Sequence, residues 1–309
     1  MKAIVTGGAG FIASHVVDAY IKEGFKVAVI DNLSTGFRRN LNPQAEFYQV
    51  DIRDRDEINR IFEIEKPQIV NHHAAQMDVR RSVEDPVYDA ECNILGSLNL
   101  IMAAKSAGTE KFIYISTGGA VHGEPQHLPV KEDHPINPEC PYGITKHTVE
   151  HYLYLFNFLY GLKYTILRYP NIYGPRQNPK GEAGVNAIFI DAMLEGRIPM
   201  IFGDGEQLRD YVFIEDVVRA NQISITKGDG EIINLGTGKG ISVNTIYREL
   251  QEIIGFDNKA FYASERPGEI NRIYLDAGKA KEILGWEAEV SFREGLKRTV
   301  EWRRNYYKA

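Results

Sequence analysis

The turn that follows residue 6 narrows the fold more than any other feature of the chain. Residues Lys2–Thr6 form a short apolar run. Gly7-Gly8-Ala9-Gly10-Phe11-Ile12-Ala13 follows at once, and a helix-compatible run continues from Ser14 to Lys22. A strand that turns on glycines into a helix lets the backbone approach a pyrophosphate, whose charge then sits at the helix N-terminus. A second apolar run, Lys26–Ile30, ends at Asp31. A carboxylate about 20 residues beyond the glycines accepts the ribose hydroxyls of an adenosine and repels a 2′-phosphate, which points to NAD rather than NADP. Arg38 and Arg39 lie in the same loop and keep a partner for a 2′-phosphate within reach. Ala13 stands at the third glycine position, where helix and strand pack closely, so the turn must admit one methyl.

Strands and helices alternate from there. Residues 46–50 read as a third strand ending at Asp51, 53–64 as a helix, and 68–71 as a fourth strand running into His72-His73-Ala74-Ala75-Gln76. A long helix is predicted over 86–107, a fifth strand over 111–115 ending at Ser116-Thr117, a helix from Tyr142 to about Tyr160, and a sixth strand over 165–168. This alternation predicts an α/β fold: a Rossmann-type doubly wound parallel sheet, followed by a smaller mixed α/β substrate domain. The expected division is a dinucleotide-binding domain over 1–168 and a substrate domain over 169–309, with a segment near 212–238 returning to the first sheet. Ligands of such sheets lie at the carboxyl ends of the strands, where Gly7, Asp31, Asp51, Ala74, Ser116, Thr117 and Tyr169 all fall.

At the other end of the first domain, Tyr142 and Lys146 open the Pro141–Tyr160 stretch with a Tyr-x-x-x-Lys spacing. Residues four apart share one helix face, so a phenol and an ammonium can serve one site. A free Tyr titrates near about 10 and is a poor base at neutral pH, whereas a neighbouring positive charge favours its phenolate. The two residue types are common on helix surfaces; the dinucleotide fingerprint in the same domain is what gives the spacing meaning.

With 309 residues and 43% hydrophobic content, the chain can bury a core large enough for two domains. A net charge of −6 argues against a nucleic-acid partner held by bulk electrostatics. No apolar run approaches the length of a membrane span, and a strand occupies the place of a signal peptide, so no membrane association is expected. Cys92 and Cys140 form neither a disulfide framework nor a metal-ligand spacing, which suits a reducing cytoplasm. The histidines show no metal spacing either: His72 and His73 read as packing or backbone-bonded residues, and His122, His127, His134, His147 and His151 have no metal-ligand spacing with carboxylates or cysteines. No metal is expected.

Five motifs in order resemble the extended short-chain dehydrogenase/reductases that act on nucleotide sugars. They are Thr6-Gly7-Gly8-Ala9-Gly10-Phe11-Ile12, Asp31-Asn32-Leu33-Ser34-Thr35-Gly36, His73-Ala74-Ala75-Gln76, Tyr142-x-x-x-Lys146 and Arg168-Tyr169-Pro170-Asn171-Ile172-Tyr173-Gly174-Pro175-Arg176. Among those enzymes the chain is most similar to the UDP-glucose (UDP-galactose) 4-epimerases, over essentially its whole length. The resemblance implies that Gly7, Gly10, Phe11 and Ile12 cradle the pyrophosphate of NAD. Asp31 and Asn32 would hold the adenosine ribose beside Ser34, Thr35 and Gly36, and Asp51 and Ile52 would flank the adenine. Ala74, Ala75, Gln76 and Tyr169 would line the nicotinamide end. Tyr142 would be base and acid on the sugar 4-hydroxyl, with Lys146 bonding the nicotinamide ribose and lowering the Tyr142 pKa.

The same resemblance places a Ser or Thr hydroxyl against the sugar oxygen. Counting along the fifth strand gives Thr117, with Ser116 as fallback; counting back from Gly123 gives Gly118, which has no hydroxyl. The Ser116–Gly123 loop is one residue longer than the family pattern, and His122 stands where the family has Tyr. On the substrate side, Asn171, Val185, Arg209, Arg266 and Glu269 match positions that contact the UDP-sugar. Guanidiniums suit diphosphate because their planar donor fork binds phosphate oxygens bidentately. Ile273 sits where the family varies between a bulky Tyr and small residues, which leaves the N-acetylated sugars open.

The implied activity is C4 epimerisation of a UDP-hexose through a transient 4-keto sugar. A 4,6-dehydratase would need an Asp-Glu pair where Gly118-Gly119 stand; a UDP-glucuronate 4-epimerase or decarboxylase would need a further contact for the sugar carboxylate. A non-catalytic NAD-binding sensor is the reading from a different class. The aromatic run Tyr152, Tyr154, Phe156, Phe158 and Tyr160 suggests a heavily buried face, through which this helix and the one over 86–107 would either pair in a homodimer or pack within the chain.

Overall fold

The computed structural model describes residues 1–180, 184–265 and 270–306. Six strands alternate with helices as the apolar runs require: β1 (Lys2–Thr6), β2 (Lys26–Ile30), β3 (Glu46–Tyr48), β4 (Ile69–His72), β5 (Lys111–Thr117) and β6 (Lys163–Tyr169). Smaller strands follow: β7 (Asn171–Tyr173), β8 (Met200–Phe202), β9 (Leu208–Arg209), β10 (Tyr211–Phe213), β11 (Glu231–Asn234), β12 (Ile241–Ser242), β13 (Phe261–Ala263) and β14 (Arg272–Ile273). The helices are α1 (Phe11–Lys22), α2 (Arg55–Glu65), α3 (Val79–Glu84), α4 (Pro86–Ala90), α5 (Gly96–Ala107), α6 (Pro141–Tyr160), α7 (Val185–Leu194), α8 (Ile214–Ile223), α9 (Val243–Ile254) and α10 (Phe292–Tyr306).

The main sheet has seven strands in the order β11-β6-β5-β4-β1-β2-β3. Every pairing in it is parallel, which makes it a Rossmann-type doubly wound α/β sheet. Its central strands are largely apolar because both faces are covered. Ala3 and Val5 of β1 point into one core with Val16 and Tyr20 of α1, while Ile4 points into the other with Leu100 and Ile101 of α5. Strand order reverses between β1 and β4, and that switch point opens a crevice at the carboxyl edge. β7 pairs with β10 and β8 with β13, both in parallel, and β9 lies between β12 and β14 in a small mixed sheet; α9 packs on β12 and α10 on β10.

Several boundaries differ from the sequence expectations. β3 stops at Tyr48, and α2 starts at Arg55 because the Asp54 carboxylate accepts the Glu57 N–H as its cap. β5 and β6 run longer, which sets Thr117 opposite Tyr169 in register. The helix expected over 86–107 is interrupted by a wider π turn at Glu91–Leu95, where Cys92 and Asn93 are buried. Gly96 follows it, and a Cβ there would lie 2.6 Å from Ile52 Cγ1, so only glycine lets α5 pass that close.

The aromatic run on α6 is not one buried face. Tyr154, Phe158 and Tyr160 are exposed, Phe158 by 75%, while Tyr152 and Phe156 pack partly against the core. A spacing of two suits a strand; on a helix it turns successive rings to opposite sides.

Candidate active site

The β1–α1 turn is shaped by what lies across the crevice. Gly7 adopts φ +71°, and a Cβ on it would stand 2.9 Å from the Ala74 N–H nitrogen at the end of β4. Gly10 begins α1 without a side-chain cap, and no acid occupies the first turn, so the first N–H groups face the crevice with their positive dipole end uncompensated. The loop after β2 folds onto this turn: Phe37 N–H and Asn40 Nδ2 donate to the Ala9 carbonyl, at 2.9 and 3.0 Å. A Cβ on Gly36 would approach Ala9 Cβ to 2.8 Å.

Asp31 Oδ2 accepts the Ala9 N–H at 3.0 Å and Oδ1 accepts the Leu33 N–H at 2.7 Å. A carboxylate has about four lone-pair sites, so two remain for ribose hydroxyls. Burial raises the Asp31 pKa, and the two N–H groups oppose it. Asn32 Nδ2 donates to Asp51 Oδ2 at 2.9 Å and Asn32 Oδ1 accepts the Ser34 N–H, tying the two loops expected at the adenosine. Hydrogen bonds from Arg53 hold Asp51 down at about 2. Ser34 and Thr35 are exposed, while Ile52 is buried under Gly96. Arg38 and Arg39 are engaged elsewhere, lying over the Phe47 ring at 5.4 Å and the Phe37 ring at 4.1 Å.

A glycine cradle that any Cβ would fill, an open helix end and a carboxylate with spare acceptors fit a dinucleotide with a free 2′-hydroxyl. At the far end of the crevice, Ala74 N–H donates to Thr6 Oγ1 at 3.1 Å, and Ala75 and Gln76 follow. His73 keeps its Nε2 buried without a protein partner. His72 is a packing residue, bonded to Thr6 and Ser97. Tyr169 turns its hydroxyl away into the core, where it accepts from Asn221 Nδ2 at 2.6 Å.

Tyr142 lies in the first turn of α6, directly behind Pro141. Lys146, one turn on, is buried against β5, with Nζ 4.3 Å from the centre of the Tyr114 ring. Burial lowers Lys146 to about 7, against the pull of Glu150 and Asp89. Burial also raises the Tyr142 phenol above its ordinary value, and Cys140 and Asp89 add to the rise. This differs from the expectation that Lys146 draws the phenol down: in the protein alone desolvation dominates both groups, and a weakened cation lends the phenolate little.

The Thr117 loop meets the same helix, since a Cβ on Gly143 would stand 2.3 Å from the Ala120 carbonyl oxygen. Thr117 Oγ1 accepts the N–H groups of Gly119 and Ala120 at 3.2 and 3.3 Å, so its own proton stays available for donation. Ser116 instead donates to Glu150 Oε1 at 2.6 Å inside a buried ion pair. There Arg168 grips Glu150 with Nε at 3.0 Å and Nη2 at 2.6 Å. Burial alone would raise Glu150, but bonds from His147, Arg168 and Ser116 hold it at about 2. A side chain on Gly118 would have to displace that of Leu275, whose Cδ1 lies 2.3 Å from where its Cβ would be.

On the substrate side, Asn171 is exposed at the start of β7 and Val185 opens α7. Arg209 Nη1 donates to the Leu208 carbonyl at 3.0 Å. Ile273 pairs with Arg209 in register and is buried beside Val130 and Leu275. Arg266 and Glu269 lie outside the described residues. Asn186, in the Val185–Phe189 stretch that the sequence offers to the nucleotide, is buried with neither amide atom partnered by protein. Its signal was an amide in the first turn of a mostly apolar helix. Asp89, Asn93 and Thr145, buried together behind Tyr142 and Lys146, carried no signal at all. Among the described residues no three metal-ligating side chains gather.

Residues 3–236 match the model of the NAD dependent epimerase/dehydratase family. The chain is 50% identical over 302 residues to a putative UDP-glucose 4-epimerase of Methanocaldococcus jannaschii, covering 98% of each. It superimposes on the crystal structure of a Thermotoga maritima UDP-glucose 4-epimerase with UDP-glucose at a TM-score of 0.98 and 51% identity, covering 99% of this chain and 100% of that one. The Thermus thermophilus UDP-glucose 4-epimerase complexed with NAD gives a TM-score of 0.93 at 42% identity, covering 98% and 99%.

Proposed function

This chain belongs to the NAD dependent epimerase/dehydratase family, and from that premise we propose that it interconverts UDP-glucose and UDP-galactose by NAD-dependent epimerisation at C4. The observation that carries the reading is the meeting of Tyr142, Lys146 and the Thr117 loop at the carboxyl edge that the glycine turn opens. Gly7, Gly10, Phe11 and Ile12 would hold the pyrophosphate. Asp31, Asn32, Ser34, Thr35 and Gly36 would hold the adenosine ribose, Asp51 and Ile52 the adenine, and Ala74, Ala75, Gln76, Lys146 and Tyr169 the nicotinamide end. When bound, NAD supplies the chemistry of taking a hydride from C4 and returning it.

The chain's own residues do the rest. Tyr142 Oη takes the proton of the 4-hydroxyl and gives it back, and Thr117 Oγ1 donates to the same sugar oxygen. Lys146 offers N–H donors at the cofactor ribose beside the phenol. Asn171, Val185, Arg209, Arg266 and Glu269, with the unpartnered amide of Asn186, would hold UDP while the 4-keto sugar turns its other face. The division of labour follows: residues 1–168, with the return near 212–238, bind the cofactor and 169–309 bind the nucleotide sugar. Gly118 and Gly119 carry no acid or base, which favours epimerisation over dehydration.

Among the described residues no helix is long and apolar enough to cross a membrane. We place the enzyme in the cytoplasm, as a homodimer without nucleic-acid partners. Ile144, His151, Leu155 and Phe158 form an exposed stripe along α6, and Met102 is exposed on neighbouring α5; a second copy of the same two helices would cover them.

The test is direct. Purified protein with NAD is incubated with UDP-galactose, and UDP-glucose formation is followed, with UDP-N-acetylgalactosamine and UDP-glucuronate in parallel. UDP-glucose formation is expected, and Tyr142→Phe should lower kcat by about 10²–10⁴-fold while bound NAD stays close to wild type. Full turnover by that variant would overturn the reading.

A further inference from the structure

A fully buried carboxylate sits behind the two reactive side chains of α6, and neither the family match nor the resemblance gives it a part. Asp89, on α4, has no exposed surface. Its Oδ2 accepts the Thr145 hydroxyl at 2.7 Å, and Thr145 lies between Tyr142 and Lys146 on α6. Its Oδ1 accepts Gln76 Nε2 at 2.9 Å and Asn93 Nδ2 at 3.0 Å. Asn93 completes the cluster by accepting the Gln76 N–H at 2.8 Å and donating to the Gln76 carbonyl at 2.9 Å.

One carboxylate thus ties three elements together: the loop after β4, the wide turn behind α4, and the helix that carries the phenol and the amine. All its partners are neutral donors, and among the described residues no Lys or Arg pairs with it. Burying an unpaired charge is costly, and a neutral amide could satisfy most of the same bonds, so a structural role alone does not account for it. The charge is felt at the site, because Asp89 acts on both Tyr142 and Lys146.

We propose that Asp89 is a positioning residue for the epimerisation: through Thr145 it fixes where Tyr142 and Lys146 stand against the Gln76 loop. The inference rests on the reading of Tyr142 and Lys146 as the reacting pair. Other charged or titratable groups near the pair are Cys140 before α6, Glu150 on α6, Tyr114 on β5, and His72 and His73 at the end of β4. None of these joins the Gln76 loop to α6 through a side-chain bond to Thr145.

Two substitutions separate charge from position. Asp89→Asn keeps the shape and removes the charge. Both limbs of its kcat/KM–pH profile should move to lower pH, because losing a nearby negative charge makes Tyr142 and Lys146 give up protons more readily. Thr145→Val keeps the charge and removes the link. Its kcat for UDP-galactose should fall about tenfold or more with KM within a factor of two and the limbs unmoved, and Thr145→Ser should restore kcat. A wild-type profile for folded Asp89→Asn, or a Thr145→Val kcat equal to that of Thr145→Ser, overturns the proposal. Because the Thr145 pair does not need Asp89→Asn to fold, the proposal stays testable if that variant does not. An active Tyr142→Phe would instead sink the parent reading, so the two failures are distinguishable.

Discussion

His122 is buried and His15 and His73 are half-buried, and desolvation lowers their pKa values to about 4 for His122, 4 for His15 and 3 for His73. The native state therefore keeps all three neutral where the unfolded chain takes up protons near about 6.5. The sign follows from the depressed folded values. Stability is fully present above about 6.5 and is lost as pH falls toward 3, at up to about 1.4 kcal/mol per pH unit for each group. Glu150, held at about 2, continues the loss below the ordinary Glu range. Urea midpoints should therefore drop between pH 7.5 and pH 5, and a midpoint unchanged over that interval would contradict the assignment. At this scale Tyr142, Lys146 and Asp31 were legible, because each belongs to a motif complete within a few residues. Asp89 and Asn186 were not, because a buried carboxylate or amide is defined by what surrounds it.

The element that decides cofactor binding is the β1–α1 turn. Its glycines were readable as a turn, but the reason for Gly7 lies 67 positions away, at Ala74. Gly7→Ala adds a methyl 2.9 Å from the Ala74 nitrogen on a left-handed backbone, so the turn must move away from the end of β4. The expected outcome is a folded protein whose NAD affinity falls tenfold or more, read by titration against protein fluorescence. Wild-type affinity would mean the contact has no bearing on the cradle. The π turn at Glu91–Leu95 shows the opposite case. Apolar spacing predicted one unbroken helix, and the fold widened a turn of it where Asn93 bonds both Gln76 and Asp89.

For the whole molecule, the question is what covers α5 and α6. Phe158 is 75% exposed and Leu155 41%, too much contiguous apolar surface to be left to water without cost. Sedimentation should find a dimer, and Leu155→Asp with Phe158→Asp should convert it to monomer, since paired helices would bury two carboxylates per chain. A wild-type chain that sediments as a monomer at working concentration refutes the pairing. The aromatic run that prompted this idea was misread as a buried face, because burial on a helix follows a spacing of three to four rather than two.

What residue order determined unaided was local: the strand–glycine–helix entry, the acid closing β2, the Tyr–Lys pair one turn apart, and the apolar strands of a covered parallel sheet. Each depends on neighbours a few positions away and on the fixed periods of helix and strand. Only the folded chain decided which hydroxyl stays available, with Ser116 committed to Glu150 and Thr117 left with a proton to give. It also decided that Asp89 would meet Thr145, 56 positions away, where both side chains are closed off from bulk solvent. Such partners are set by how sheets and helices stack, and no local pattern encodes that distance.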